Sequence, residues 1–488
     1  MDIFLHGLET QERDAGNPRY VATIDTGIIY LVGTAPRASS ALYKPHQLNV
    51  LHGYEDLPKG LGSSGSLPIQ IEYAMRQAGR TSPTIVYAIV PEGESEEETV
   101  ANILGSRVNR TGLYALSRAK PELNLAPKLL AAPGFTSFRP KDGIAAIILE
   151  EGGSGYTSAP DVVITPASGD DTGNGATAAC TINDAGEVDS IFLLTPGHRF
   201  KNDPVVTISG GGGQGAKARI KVGECANPVS AQLNAMAKRY RAMAVVSGPN
   251  TNAEDAVQYR QDFSSSRLYI IDPFIKVQPG AELLSIPADG AMMGLQARVD
   301  YEEGFWYSPS NHVLEGVLGT HRPIEHSRSD PSFESQYLNR NHVATIVRAD
   351  SGGFKLWGNR VAEADPLHVF WSVRRSHDTI IESVEVASEP YIDKPFSVQH
   401  LVDIGETVNK ALRRWKGQGA TLGGEVWLDP TLNTAESMAA GIIYVSYDAE
   451  APAPMEHIVF VFNRNTGYYT TMLADAAREL ARRSVATV

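Results

Sequence analysis

Residues 21–36 read VATIDTGIIYLVGTAP. Apolar and polar residues alternate from 20 to 35, and Gly33 and Pro36 stop the run, which predicts a strand. Working outward, "TIVYAIV" (84–90) and "KLLAAPG" (128–134) read as further buried strands. The segments between them, "LPIQIEYAMRQAG" and "EEETVANILGS", place apolar residues at helical spacing, and Glu96, Glu97 and Glu98 suit a helix N-terminus. Strands that alternate with helices predict a mixed α/β sheet.

The same stretch holds an Asp-Thr-Gly triplet at Asp25, a context in which aspartic and subtilisin-like peptidases carry a catalytic aspartate. His52 in "LHGYED" and Ser437 in "AESMAAG" even complete the subtilisin order Asp, His, Ser. The surroundings argue against chemistry. A subtilisin-like nucleophile follows a Gly-Thr pair at a helix N-terminus, whose amides organise the oxyanion site. Here Ala435 and Glu436 precede Ser437, and a carboxylate there opposes an oxyanion. His52 is followed by Gly53, Tyr54, Glu55 and Asp56 rather than a His-Gly-Thr helix start. An aspartic dyad needs two such triplets that share a proton, and the second Asp-Thr-Gly of the chain, at Asp171, falls in a glycine cluster rather than at the end of an alternating apolar run. Thr26 and Gly27 therefore read as strand-end residues, with a subtilisin-fold peptidase as the enzymatic alternative.

A chain of 488 residues has length for two to four domains. With 42% hydrophobic and 20% charged residues it is globular in composition. Its net charge of -13 argues against a general nucleic-acid binder. Two cysteines, Cys180 and Cys225, exclude a disulfide scaffold and fit synthesis in a reducing compartment. The N-terminus has no signal-peptide pattern and no stretch is apolar enough to span a bilayer, so a soluble protein is expected, without membrane insertion. No His-x-x-x-His or Cys-x-x-Cys spacing occurs, and no metal or cofactor is expected. The aromatic run "GFWYSPSNH" (Phe305, Trp306, Tyr307, His312) reads as core or subunit interface before it reads as a ligand platform.

From Gly143 to Val222 the composition turns to Gly, Thr, Ser, Val and Ala, and the sequence repeats. "IILEEGGSGYTSAPDVVITPASG" is echoed by "IFLLTPGHRFKNDPVVTISGG", pairing Ile147 with Ile191, Gly153 with Gly197, Tyr156 with Phe200 and Pro160 with Pro204. Each copy runs on into an alternating strand, "GATAACTI" or "GAKARIKV". Two strand–turn–strand units predict a small all-β insertion. The G-x-G-x-x-G at Gly210, Gly212 and Gly215 has no helix after it and reads as a glycine turn. The α/β pattern resumes at "PVSAQLNAMAKRYRAMAVVSGPN" and "AEDAVQYRQDFSSSRLYIIDPFIKV". Beyond about residue 365 a smaller unit follows: a helix, "SVQHLVDIGETVNKALRRWKGQG", then strands "GEVWLDP", "GIIYVSYDA" and "EHIVFVF".

Taken in order, "LVGTAP", "AAPGFTS", "AVVSGPN", "RLYIIDPFIKV", "RVDYEEGFWYSPSNHVLEGVLGTHRPI", "FKLWGNR" and "GGEVWLDPTLNT" resemble the tail sheath proteins of contractile-tailed bacteriophages, in the branch that also serves contractile bacteriocins. The resemblance covers nearly all the chain outside 143–222. It implies an α/β multidomain protein with a central subtilisin-like domain that lacks a triad, a smaller α+β C-terminal domain and the all-β repeat insertion. The expected division is an N-terminal arm (1–19), a discontinuous sheath body (20–142 and 223–364), the insertion on the outer surface (143–222), a C-terminal domain facing the tail tube (365–462) and a C-terminal arm (463–488). The implied function is structural, not enzymatic. Subunits polymerise as stacked hexameric rings around the tube and contract to drive it through the host envelope, in a phage virion assembled in the bacterial cytoplasm or in a bacteriocin-like particle. Partners implied are further copies of the chain, the tail tube protein, and baseplate and tail terminator proteins, with no nucleic acid.

The resemblance also assigns candidate contacts. Lys410, Arg413, Arg414 and Lys416 project from the 397–417 helix opposite an apolar face of Val398, Leu401, Val408, Leu412 and Trp415, and are the tube-contact candidates. Ile3, Phe4 and Leu5, then Ile458, Val459 and Phe460, are candidates for strands that arms add to neighbouring subunits. Arg478, Arg482 and Arg483 lie on a helical stretch of the C-terminal arm.

Overall fold

A computed structural model describes residues 21–53, 58–81 and 83–485. The chain divides into two compact units, the second starting at Met455.

The first unit is built on a six-stranded sheet. Its early elements are β1 (Ile29–Thr34), β2 (Leu48–His52), α1 (Leu67–Ala78), β3 (Thr84–Val90), α2 (Glu96–Leu104), α3 (Ala119–Leu123) and β4 (Leu129–Ala131). After the repeat segment come α4 (Pro228–Tyr240), β11 (Met243–Ser247), α5 (Ala253–Gln261) and β12 (Leu268–Ile271). The strand order is β12-β11-β4-β1-β3-β2. All pairings are parallel except β2 with β3. Every residue of β1 is buried, as expected of a parallel strand covered on both faces. Ile29 and Leu31 join Ile71, Met292 and Leu295 in one core, while Tyr30 and Val32 join Val100, Leu233 and Val257 in the other. Side chains supply the helix starts: Asn227 accepts the Ser230 amide and Asn252 the Asp255 amide.

The strand expected from residue 20 begins only at Ile29. Asp25 Oδ1 accepts the Gly27 N–H at 2.9 Å, and the Thr26 carbonyl accepts from Arg375 at 3.2 Å. Side chains satisfy this backbone, so it needs no neighbouring strand.

The repeats fold as six strands: β5 (Gly143–Ser154), β6 (Asp161–Thr165), β7 (Asn174–Ile182), β8 (Val188–His198), β9 (Val205–Ser209) and β10 (Gln214–Gly223). The copies are not self-contained units. β5 pairs with β10, β6 with β9 and β7 with β8, all antiparallel, so each pairing joins one copy to the other. The cores interlock in the same way. One cluster holds Ile144, Phe200 and Ile220, and the other the corresponding Val188, Tyr156 and Cys180. Each copy lends its first strand to the other copy's aromatic, because one β-hairpin alone buries too little apolar surface. Gly210–Gly213 form the turn from β9 to β10, with Gly210, Gly211 and Gly212 at positive φ.

Further along lie β13 (Ile275–Val277), β14 (Leu284–Ile286), α6 (Asp289–Glu302), β15 (Val313–Leu314), β16 (Val317–Thr320), α7 (Glu334–Arg340), β17 (Thr345–Arg348) and β18 (Phe354–Trp357). The last part of the unit is α8 (Trp371–Ser388), α9 (Val398–Gln418), β19 (Val426–Trp427), α10 (Ala435–Ala439) and β20 (Ser446–Tyr447). The second unit holds α11 (Gly467–Val485). The expected strand at "EHIVFVF" is absent: residues 456–462 carry no regular secondary structure. An apolar run has strand propensity, but a strand needs a partner to hydrogen-bond.

Candidate assembly surfaces

Asp25, His52 and Ser437 do not meet. Asp25 is exposed, with its carboxylate turned back to the Gly27 amide. His52 ends the edge strand β2, 3.3 Å from the Thr84 hydroxyl. Ser437 sits inside α10, where its hydroxyl donates to the Leu432 and Thr434 carbonyls. Neither His52 nor Asp25 bonds to the serine, and the three form no triad. Among the described residues no cluster of His, Cys, Asp or Glu is arranged to hold a metal ion. None of their helices is long and apolar enough to cross a membrane.

Thr26 carries the triplet's buried contact, while Asp25 only turns back to the Gly27 amide. Its hydroxyl donates to Asp300 Oδ2 at 2.7 Å, and Arg375 grips the same carboxylate with both terminal nitrogens, one at 2.8 Å. Gln296 donates to Asp300 and accepts from the Trp371 indole at 2.7 Å. This buried network ties the approach to β1 to α6 and α8.

Arg375 is the first of four such residues on α8. Asp378 receives Arg267, Glu382 receives Lys128, and Glu385 receives Arg241. Positions 375, 378, 382 and 385 advance by three, four and three residues, which is one face of a helix. For Asp378, burial raises the carboxyl's pKa, but bonds from Arg267 and Arg374 overcome it and hold the group below the usual carboxylate range. An ion-pair ladder thus fastens α8 to the central body. Its inner rungs are nearly dry, with Asp300 7% and Arg375 3% exposed.

Beyond the ladder, α8 and α9 share a core of Ile380, Val384, Val408, Ala411, Leu412 and Trp415, against which Val426 and Tyr447 pack. Ser397 caps α9 by accepting the His400 amide, and Gly419 closes it in the left-handed region. Lys410, Arg413 and Lys416 are exposed. Arg414 is not with them. It lies half-buried over the Trp415 ring and donates to the Thr23 hydroxyl at 3.3 Å, so it serves the fold. Val398, expected on the apolar face of α9, is 81% exposed and does not join its core.

Ile3, Phe4 and Leu5 lie outside the described residues. In the second unit, Ile458, Val459, Phe460, Val461 and Phe462 are all exposed, Phe460 at 89%. Arg478 and Arg483 on α11 pair with Asp475 and Glu479, and Arg482 is exposed beside them. A run of five large apolar residues without a strand partner costs solubility unless something covers it.

Among the described residues the peptidase candidates are not brought together and no metal cluster is formed, while large apolar side chains stay exposed. Two family models match: the phage tail sheath protein central domain over residues 221–362 and the phage tail sheath C-terminal domain over 363–464, together half of the chain. The tail sheath protein of Burkholderia phage BcepMu is 29% identical, over 96% of this chain and 98% of its own length. That of Escherichia phage P2 is 22% identical, over 94% and 95%. Among solved structures, the sheath complex of an extracellular contractile injection system (PVC) in the contracted state matches 96% of this chain and all of its own, with a TM-score of 0.58 at 13% identity. The chain belongs to the phage tail sheath family. It is a structural subunit of a contractile sheath, not an enzyme.

Proposed function

We propose that this chain polymerises as stacked hexameric rings around a tail tube and contracts to drive the tube through the host cell envelope. The carrying observation is the exposed run Ile458–Phe462, five apolar side chains and their backbone without strand partners. A copy that adds this run to the open edge of another copy's β19–β20 pair satisfies both. Main-chain bonds at one edge let subunits turn while staying linked. Ile3, Phe4 and Leu5 serve as the second added strand. The energy of contraction resides in the assembled lattice as kinetic metastability, with no nucleotide consumed.

In this reading the body of residues 20–142 and 223–364 has a subtilisin-like topology emptied of its triad. The repeat segment 143–222 is an insertion on the outer surface. Residues 365–462 face the tube, and Lys410, Arg413 and Lys416 meet acidic groups on it. Baseplate and terminator proteins bound the stack, and the particle assembles in the host cytoplasm. The same machine serves a bacteriocin-like injection device, for which this surface is equally built. The full-length chain and a chain ending at Pro454 are to be compared by negative-stain electron microscopy at high concentration. Striated tubes or rings from the full-length chain alone support the proposal. Monomers from both, even with tube and baseplate proteins added, overturn it.

A further inference from the structure

The tube-contact reading uses only the C-terminal half of α9. That helix is divided in charge: Asp403 and Glu406 lie in its first half, Lys410, Arg413, Arg414 and Lys416 in its second. The first half and its lead-in also expose a row of apolar side chains. Ile392 is 68% exposed, and Phe396, Val398 and Val402 are exposed with it. Val398, Val402 and Gly405 follow at four- and three-residue spacing along one side. A Cβ at Gly405 would meet nothing within 4 Å, so the row ends in a flat, open place for another helix to approach. Among the described residues of the first unit nothing covers this row.

α11 has the matching shape. Tyr469, Met472, Leu473 and Ala476 form a stripe at helical spacing, and the first three are exposed. Its basic residues, Arg478, Arg482 and Arg483, all lie toward its C-terminal end.

We infer that the apolar stripe of α11 docks, antiparallel, on the Val398–Gly405 side of α9 in a second copy. This deepens the sheath reading and rests on it. Continuity selects the second copy. Only four residues separate Phe462 from Gly467, a reach of at most about 18 Å, so α11 arrives where the added strand does. In the receiving copy that place is beside α9, because Val426 of β19 and Tyr447 of β20 pack on the core that α9 shares. Charge selects the direction. Antiparallel docking sets the Arg482–Arg483 end of α11 near Glu389 and Asp393, which precede α9. Parallel docking would press it against Lys410 and Arg413. The antiparallel arrangement also opposes the two helix dipoles. The interface then has an added strand as its hinge and a helix pair as its clasp, the second made of side chains and separable from the first.

The test uses full-length chains with single surface cysteines; the native Cys180 and Cys225 are buried. Chains carrying Val402→Cys are mixed with chains carrying Leu473→Cys, assembled, checked by negative-stain microscopy and treated with a short bis-maleimide. The expected result is a covalent dimer from this pair, and loss of that dimer when Lys416→Cys replaces Val402→Cys. Tubes without the dimer, or equal dimer from both pairs, overturn the docking and leave the sheath reading standing. A cyclised monomer from a dilute Val402→Cys/Leu473→Cys double variant, with no dimer from the mixture, overturns the choice of a second copy. If no rings or tubes form with tube and baseplate proteins present, the sheath reading fails and this inference fails with it.

Discussion

Gly294 fixes how closely two helices of the first unit approach. A Cβ there would lie 2.0 Å from the Ala74 carbonyl oxygen, and one at Gly290, a turn earlier on α6, 2.5 Å from that of Gln70. The two glycines let α6 lie against the backbone of α1, and the contact cannot yield cheaply because it is backbone. Gly294→Ala is expected to destabilise the subunit by roughly 2 kcal/mol, the scale of an overpacked core. Urea unfolding should show a lower midpoint with an unchanged slope. Asp289, at the start of the same helix, is fully buried, and burial pushes its carboxyl up to about 7, the bond from Ser247 offsetting only part. The folded state therefore keeps a proton that the unfolded chain loses near pH 4. The contribution is therefore most favourable below about pH 4 and is lost as pH rises to about 7. Asp289→Asn stays neutral throughout, so its stability relative to the parent should rise by roughly 3 kcal/mol between pH 5 and pH 8. Thermal melts of both proteins across that range check it. A flat difference would mean the carboxyl ionises normally in place.

At the scale of elements, α8 is the joint between the central body and the C-terminal part, and its ion-pair face makes it one. Asp378 is the rung with most to lose, since it accepts from both Arg267 and Arg374 while only 8% exposed. Asp378→Ala strands two guanidinium groups in a nearly dry seam and is expected to cost about 3–5 kcal/mol. Proteolysis should then cut earlier near residues 363–370 than in the parent, a readout of the joint opening. How far the sequence reveals such elements depends on range. The buried strands β1, β3 and β4 are legible because a covered parallel strand is an unbroken apolar run. The ladder is not, because its rungs join residues 75, 111, 254 and 144 positions apart. The late start of β1 is hidden for the same reason, since Arg375 satisfies the Thr26 carbonyl from 349 positions away. The basic end of α9 is legible from helical spacing, but the inward turn of Arg414 depends on Thr23, which no periodicity shows. The run at 456–462 reveals its composition and leaves its partner unstated.

At the scale of the whole molecule, the net charge of -13 makes the exposed cations at the end of α9 an exception on an acidic protein. Lys410, Arg413 and Lys416 face solvent, and Arg413 lies 3.9 Å from Glu406, too loosely to be committed within the subunit. Exposed pairs of this kind contribute about 0.2–1 kcal/mol each and weaken with salt. On the proposed reading, in which the sheath holds a tube during assembly and releases it on contraction, many weak contacts repeated at every subunit serve both steps. Arg413→Glu with Lys416→Glu turns the patch from attraction to repulsion without touching the Trp415 core. The double variant is expected to form sheath-like polymers as the parent does, yet fail to co-assemble with tube protein, by sedimentation and negative-stain microscopy. Parent co-assembly should itself fall as salt is raised. Arg414→Glu should behave differently, because its partners are Thr23 and the Trp415 ring. Its first effect should be a lower melting temperature of the free subunit. If the double variant binds tube as the parent does, the contact lies elsewhere on the C-terminal part. If Arg414→Glu alone abolishes binding at unchanged stability, Arg414 turns outward in the assembly and the division made among these four cations is wrong.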